Sequence, residues 1–291
     1  MIKRPLFMAL FAFGACVAAH AADVPAAPLY KAPQPASPSW SGFYVGLGVG
    51  SRYSQADATM TSAAYVSANG TQDLLGANCL GCFTGERLNG GTFRINPYVG
   101  LNWQIARQWV VGIEGDWGWG DQTTAIKGMF FPASFATFGV GTDSFAVRTT
   151  WDASARARLG LLVNPALLVY ATGGAAWQHV EGISTCTAGF PVGVCNNLFA
   201  PALNPFGPSV VASGLTRSGW TIGGGIEAML WSNWFVRADY RFADFGTANV
   251  QANRTCPSPC VLGGITTNLN ASYDLRLQTH TIAFGLAYKF D

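Results

Sequence analysis

The sequence predicts an all-β chain, an eight-stranded antiparallel up-and-down transmembrane β-barrel with long extracellular loops. Three observations carry that prediction. Large apolar residues alternate with small or polar ones in separate stretches, charge falls on only one face of those stretches, and all ten tryptophans lie at or beside a stretch end. The chain has 291 residues, 49% of them apolar and only 11% charged, with 35 glycines, which excludes a disordered tail. Its body has no apolar run of helix-spanning length, so a polytopic helical membrane protein is excluded as well. Basic residues number 17 against 15 acidic, and that balance gives no case for nucleic-acid binding.

The alternation begins at Phe43-Tyr44-Val45-Gly46-Leu47-Gly48-Val49-Gly50. It recurs from Phe93 to Trp103, Trp109 to Trp119, Thr149 to Val163, Leu167 to Trp177, Gly219 to Leu230, Trp234 to Phe245 and Leu275 to Phe290. The face opposite the large apolar residues holds Arg94, Glu114, Asp116, Asp152, Arg156, Arg158, Glu227, Arg237, Asp239, Arg241 and Lys289. A soluble sandwich would bury the apolar face and wet the charged one. Tryptophan placement argues for the reverse: Trp40, Trp103, Trp109, Trp231 and Trp234 mark one end, and Trp117, Trp119, Trp151, Trp177 and Trp220 the other. Strand rise and tilt put the two rings roughly 20 to 25 Å apart, the height of the apolar band of an outer-membrane barrel.

A sheet in lipid must close, because an open edge would leave unpaired N–H and C=O groups in hydrocarbon. At eight strands the interior is filled by side chains, and its ions must be paired. The turn Trp231-Ser232-Asn233 sets Leu230 opposite Trp234, which places Glu227 across from Arg237. Glu114 and Asp116 fall at depths similar to Arg156 and Arg158, so an interior network linking the third, fourth, sixth and seventh stretches is expected. It is read as structural, with a narrow pore lined by the same charges as the alternative.

Connections alternate short and long. The short ones run from Gln104 to Gln108, Asn164 to Ala166 and Trp231 to Asn233; the long ones from Arg52 to Gly91, Gly120 to Arg148, Gln178 to Arg217 and Gly246 to Asp274. By the usual rule the short turns are periplasmic, and so are both chain ends.

Residues 1–21 read as a signal peptide, with Lys3 and Arg4 before an apolar run and Ala19-His20-Ala21 before the cleavage point. A lipobox at Cys16 is disfavoured because that cysteine sits inside the apolar run. Residues 22–39 form a Pro-rich periplasmic linker and 40–291 the barrel. The remaining cysteines fall as Cys79/Cys82, Cys186/Cys195 and Cys256/Cys260, two to each of three long loops and none in a strand. Export favours disulfides, and closeness in sequence favours the within-loop pairs; zinc lacks a matching second half-site, so no metal is expected. Phe130, Phe131, Phe135, Phe138, Phe190, Leu198, Phe199 and Phe206 punctuate the loops and are read either as a contact surface for an extracellular partner or as packing over the barrel mouth.

Catalytic groups are scarce. His179 has Glu181 and Ser184 near it in sequence without a nucleophile elbow, and His280 has apolar-face parity. Either histidine could serve as an axial haem ligand, but no spacing calls for one, so no cofactor and no enzymatic activity are expected.

Trp40-Ser41-Gly42-Phe43-Tyr44-Val45-Gly46, Gly112-Ile113-Glu114-Gly115-Asp116, Ala157-Arg158-Leu159-Gly160, Tyr170-Ala171-Thr172-Gly173-Gly174, Gly219-Trp220-Thr221-Ile222-Gly223, Arg237-Ala238-Asp239-Tyr240 and Ala287-Tyr288-Lys289-Phe290 together resemble the outer-membrane immunogenic protein family of small porin-like barrels. The resemblance covers the strands and the Pro-rich leader but not the loops. It implies a surface-exposed structural barrel, sometimes an antigen or haem binder, seated in outer-membrane lipid and lipopolysaccharide of a Gram-negative cell. It also implies assembly by the barrel-insertion machinery, which reads outward aromatics on the last strand, here Tyr288 and Phe290. Asp291 departs from that pattern by displacing Phe290 from the final position.

Overall fold

The computed structural model describes residues 39–67, 70–73, 85–127, 144–186, 209–231, 233–255, 261–262 and 265–290. The expected leader, nearly all of the linker, Cys79, Cys82, Cys195, Cys256, Cys260, the phenylalanines of the long loops and Asp291 lie outside them. The strands are β1 (Gly42–Ser67), β2 (Gly70–Asp73), β3 (Gly85–Gln104), β4 (Trp109–Lys127), β5 (Ser144–Asn164), β6 (Leu167–Cys186), β7 (Ser209–Met229), β8 (Trp234–Thr255), β9 (Val261–Leu262) and β10 (Ile265–Phe290). The eight long strands pair antiparallel with their neighbours in chain order. β10 then pairs back onto β1 from Phe43↔Phe290 upward, which closes an eight-stranded barrel. The short β2 and β9 add to the upper ends of β1 and β10.

The predicted parity is the observed one. On β1, Leu47 is 52% exposed on the outer surface while Tyr44 is fully buried in the lumen. Inward glycines make room for large side chains from other strands. A Cβ at Gly46 would fall 2.3 Å from the Tyr98 ring, and one at Gly118 would fall 2.2 Å from the Arg94 guanidinium. These residues are small because the lumen is narrow and already filled.

All four long connections are shorter than their expected bounds, because the strands run on. β1 continues through the stretch read as loop after Arg52, and β4 to β8 and β10 likewise extend past Gly120, Arg148, Gln178, Arg217, Gly246 and Asp274. The physical reason is an inversion of polarity along each strand. Above the upper tryptophans the inward positions become apolar, with Ala56, Ala58, Met60, Leu88, Phe145, Val147, Val180, Phe245, Val250, Tyr273, Leu275 and Leu277 packed as one cluster. The outward positions there carry Asp57, Arg87, Asp121, Arg148 and Glu181. A strand that leaves lipid for water keeps its two-residue period but exchanges the character of its faces.

Two further expectations are corrected by the same extension. Arg52 belongs to β1 and is buried in the lumen rather than placed in a loop. Cys186 is the last residue of β6, opposite Ser209, so it is not outside the strands.

The opposite end is closed by short turns at the predicted positions. Leu230 N donates to Trp234 O at 2.9 Å, and Glu227 pairs with Arg237 across β7 and β8. Trp40 is not a member of the lower ring. It tucks under the barrel with Val110, Leu162 and Leu168, and its Nε1–H donates to Pro165 O at 3.0 Å. Gly42, at φ +138°, turns the chain from that position into β1, a backbone conformation open chiefly to glycine.

Candidate functional site

The densest polar constellation is the lumen at the level of the outward apolar band, and it is arranged in two layers. The lower layer centres on Glu114 of β4. Its Oε1 accepts from Arg156 Nη2 at 2.5 Å, and its Oε2 accepts from Arg237 Nη1 and from Tyr44 OH, both at 2.7 Å. Arg158 Nη1 donates to Tyr44 OH at 2.6 Å, and Arg158 Nη2 lies 2.8 Å from Glu227. Arg237 Nη2 pairs with Asp239 at 2.8 Å. Three arginines thus meet three carboxylates. Tyr170 and Tyr98 lie under two of the guanidiniums: Arg158 stands 4.2 Å from the Tyr170 ring centre and Arg237 4.4 Å from that of Tyr98.

The upper layer is built on Asp116 and Asp152. Arg94 Nη2 bridges them at 2.5 and 2.6 Å, and Arg241 does the same at 2.8 and 2.9 Å. Arg52 crosses from β1 to Asp152 at 2.6 Å and to Thr149 Oγ1 at 3.2 Å. The Ser154 hydroxyl donates to Asp116. Burying Asp116 and Asp152 is tolerable only because each is met by two or more charged donors.

Ten of the eleven charges that the sequence places on the inward face, all but Lys289, are brought together here. The network, however, extends beyond the expected four strands to β1 through Arg52 and Tyr44 and to β3 through Arg94. Tyr44, Tyr98, Tyr170 and Ser154 were not singled out. Their signal was present in the sequence, since each has inward parity on its strand. Lys289, also inward, sits at the lower rim with Nζ 3.3 Å from Ser41 O.

Above and below, the lumen is apolar. Tyr44, Tyr98, Phe235 and Ala287 pack beneath the lower layer, with the Trp40 cluster under them, and the cluster around Phe145 and Tyr273 covers the upper layer.

The histidines lie outside. His179 and Glu181 face outward, with His179 Nε2 3.6 Å from Glu181 Oε1 and its ring stacked on Trp151. Ser184 has the opposite parity and is buried inside, so the Ser-His-acid grouping suggested by sequence proximity is not assembled. His280 Nδ1 is 2.7 Å from Tyr240 OH on the outer surface. Among the described residues, no cluster of three His, Cys, Asp or Glu is arranged to hold a metal ion. Beyond the upper tryptophans, Asp121 is paired with Arg148 at 2.5 Å, and that hydrogen bond holds its carboxyl below the usual aspartate range.

A family model for the outer membrane protein β-barrel domain matches residues 8–290. The chain belongs to that family. Its place is the outer membrane of a Gram-negative bacterium, where the outward apolar band meets lipid. Among curated relatives, the 31 kDa outer-membrane immunogenic protein of Brucella melitensis is 26% identical over 286 residues, covering 97% of this chain and 96% of that one. The 25 kDa outer-membrane immunogenic protein of Brucella abortus is 26% identical over 202 residues, covering 66% of this chain and 76% of that one. Among solved structures, outer membrane protease OmpT of Escherichia coli matches with a TM-score of 0.49 at 8% identity, covering 86% of this chain and 97% of that one. Attachment invasion locus protein Ail of Yersinia pestis matches with a TM-score of 0.31 at 11% identity, covering 86% and 99%.

Proposed function

We propose that this family member is a non-conducting outer-membrane barrel, a rigid stave that fixes surface loops in the envelope and works through what those loops meet. The observation that carries the reading is the filled lumen: apolar floor, two cross-bridged ionic layers and apolar cover follow one another along the axis. A permeating ion would have to separate guanidinium–carboxylate pairs that also brace the wall, at several kcal/mol per broken pair. On this reading residues 1–21 are removed on export, residues 22–39 tether the barrel on the periplasmic side, and the six cysteines of the mature chain staple the loops in pairs. The outward faces of Tyr288 and Phe290 serve the insertion machinery.

Planar-bilayer recording of purified, folded protein tests the proposal. The expected record is flat at applied voltages that open narrow pores. Discrete steps whose size changes on replacing Glu227 or Arg158 would instead establish the narrow channel.

A further inference from the structure

The two ionic layers differ in charge. The lower one balances Arg156, Arg158 and Arg237 against Glu114, Glu227 and Asp239. The upper one sets Arg52, Arg94 and Arg241 against only Asp116 and Asp152. Within the two layers one positive charge is left over, in the upper one, and it lies under an apolar cover.

Unanswered polar atoms collect at the same level. Gln178 of β6 is completely buried, and neither Oε1 nor Nε2 finds a hydrogen-bond partner in the protein. It stands directly across from Asp152 on β5 and from Arg217 on β7. Arg52 brings its head to that Asp152, yet its buried Nε–H is unmatched, as are the Oγ of buried Ser54 and the Nε–H of half-buried Arg217. Arg217 has no carboxylate partner among the described residues; its Nη2 donates to Thr247 O. Ala176 and Val180 flank Gln178 on its own strand within the apolar cluster, so the surroundings strengthen any charge interaction there. Unmatched Nε–H groups occur in the lower layer too, but its charge is balanced, and buried water suffices to answer them. Water cannot supply the missing negative charge above.

We propose that the upper lumen holds a small monovalent anion of the halide class between Gln178 and Arg52, with the Gln178 amide and the Arg52 Nε–H as its donors. The anion completes the upper layer as a third acid would. Enclosed by the apolar cover and the ionic layers, it enters as the barrel folds and exchanges slowly afterwards. The inference uses the filling of the lumen, and its test is independent of conductance.

The protein is refolded in sodium bromide, transferred to halide-free sodium gluconate, and its retained bromide counted by elemental mass spectrometry. Crystals of the same material locate any bromide by anomalous scattering. The expected result is bromide equimolar with the barrel and an anomalous peak beside Gln178. Gln178→Glu supplies the missing charge covalently, and Arg52→Gln removes the excess; each should abolish retention while the unboiled protein still migrates as a compact barrel. Should one variant fail to fold, the other decides. Absence of bromide from the wild type, or its equal retention in the variants, an adventitious ion only, would overturn the proposal.

Discussion

Replacing Glu114 by Gln keeps the shape of the side chain and removes one charge from the centre of the lower layer. Arg156 at 2.5 Å and Arg237 at 2.7 Å lose their shortest carboxylate partner, and three arginines are left facing two acids. Breaking one side of a fully buried ion pair costs about 3 to 5 kcal/mol, because the surviving charge stays desolvated. Here two guanidiniums are affected, but Tyr44 OH and the remaining carboxylates absorb part of the loss, so the same range of about 3 to 5 kcal/mol is expected. At roughly 1.4 kcal/mol per tenfold, the folded-to-unfolded ratio falls by two to three and a half orders of magnitude. Equilibrium urea unfolding in lipid vesicles, followed by tryptophan fluorescence, measures it. The double variant Glu114→Gln with Arg156→Gln restores charge balance and should recover part of the stability, a positive coupling in a double-mutant cycle. A single variant within about 1 kcal/mol of the wild type would refute the view that the layer is dry and mutually dependent.

Four other outcomes follow from the same structure. Gly118→Ala places a methyl 2.2 Å from an Arg94 guanidinium that both Asp116 and Asp152 hold in place, so a loss of about 1 to 3 kcal/mol is expected in urea unfolding. The outward Gly115→Ala, whose nearest neighbour would be 3.6 Å away, should change stability by less than about 0.5 kcal/mol. Trp40→Ala empties the floor beneath Val110 and Leu168 and should cost about 3 kcal/mol or more, read as a lower heating midpoint for conversion to the slow-migrating form. Asp121→Asn tests pH. The carboxyl is depressed in the folded state, so its contribution is present above the unfolded value near pH 4 and fades as pH falls through the folded value. The wild type should therefore exceed the variant by less than about 1 kcal/mol at pH 7, the pair being exposed, and the gap should close in acid and in high salt.

The barrel was legible in the sequence where lipid imposes a strict rule. Leu47, Ile113 and Phe284 had to point outward once Arg94, Glu114 and Arg237 were seen to share the other parity. The Glu227–Arg237 pair was legible because a tight turn leaves register no freedom. Arg94 was assigned to the correct face, but its reach past β4 to Asp152 on β5 is a property of the closed cylinder, which pairwise register does not contain. Glycine at position 118 is the local trace of that reach. Arg52 was missed because the large outward residues give way after Tyr53 to Gln55, Asp57 and Thr59, so the pattern used to recognise a strand reverses just where the strand leaves lipid. Trp40 was assigned to the correct end of the barrel but not to its inside: tryptophan marks an interface by its height, yet a residue outside the strands has no parity to show that it turns inward.

Solid-state NMR of the uniformly labelled wild-type protein in lipid bilayers tests most directly which side of the wall is greasy. Magnetisation passed from lipid acyl-chain protons should reach the methyl groups of Val49, Ile113, Ile222 and Ile282 and bypass the guanidinium of Arg158 and the carboxyl of Glu227. Acyl-chain transfer to Arg158 or Glu227, with those methyl groups silent, would contradict the account.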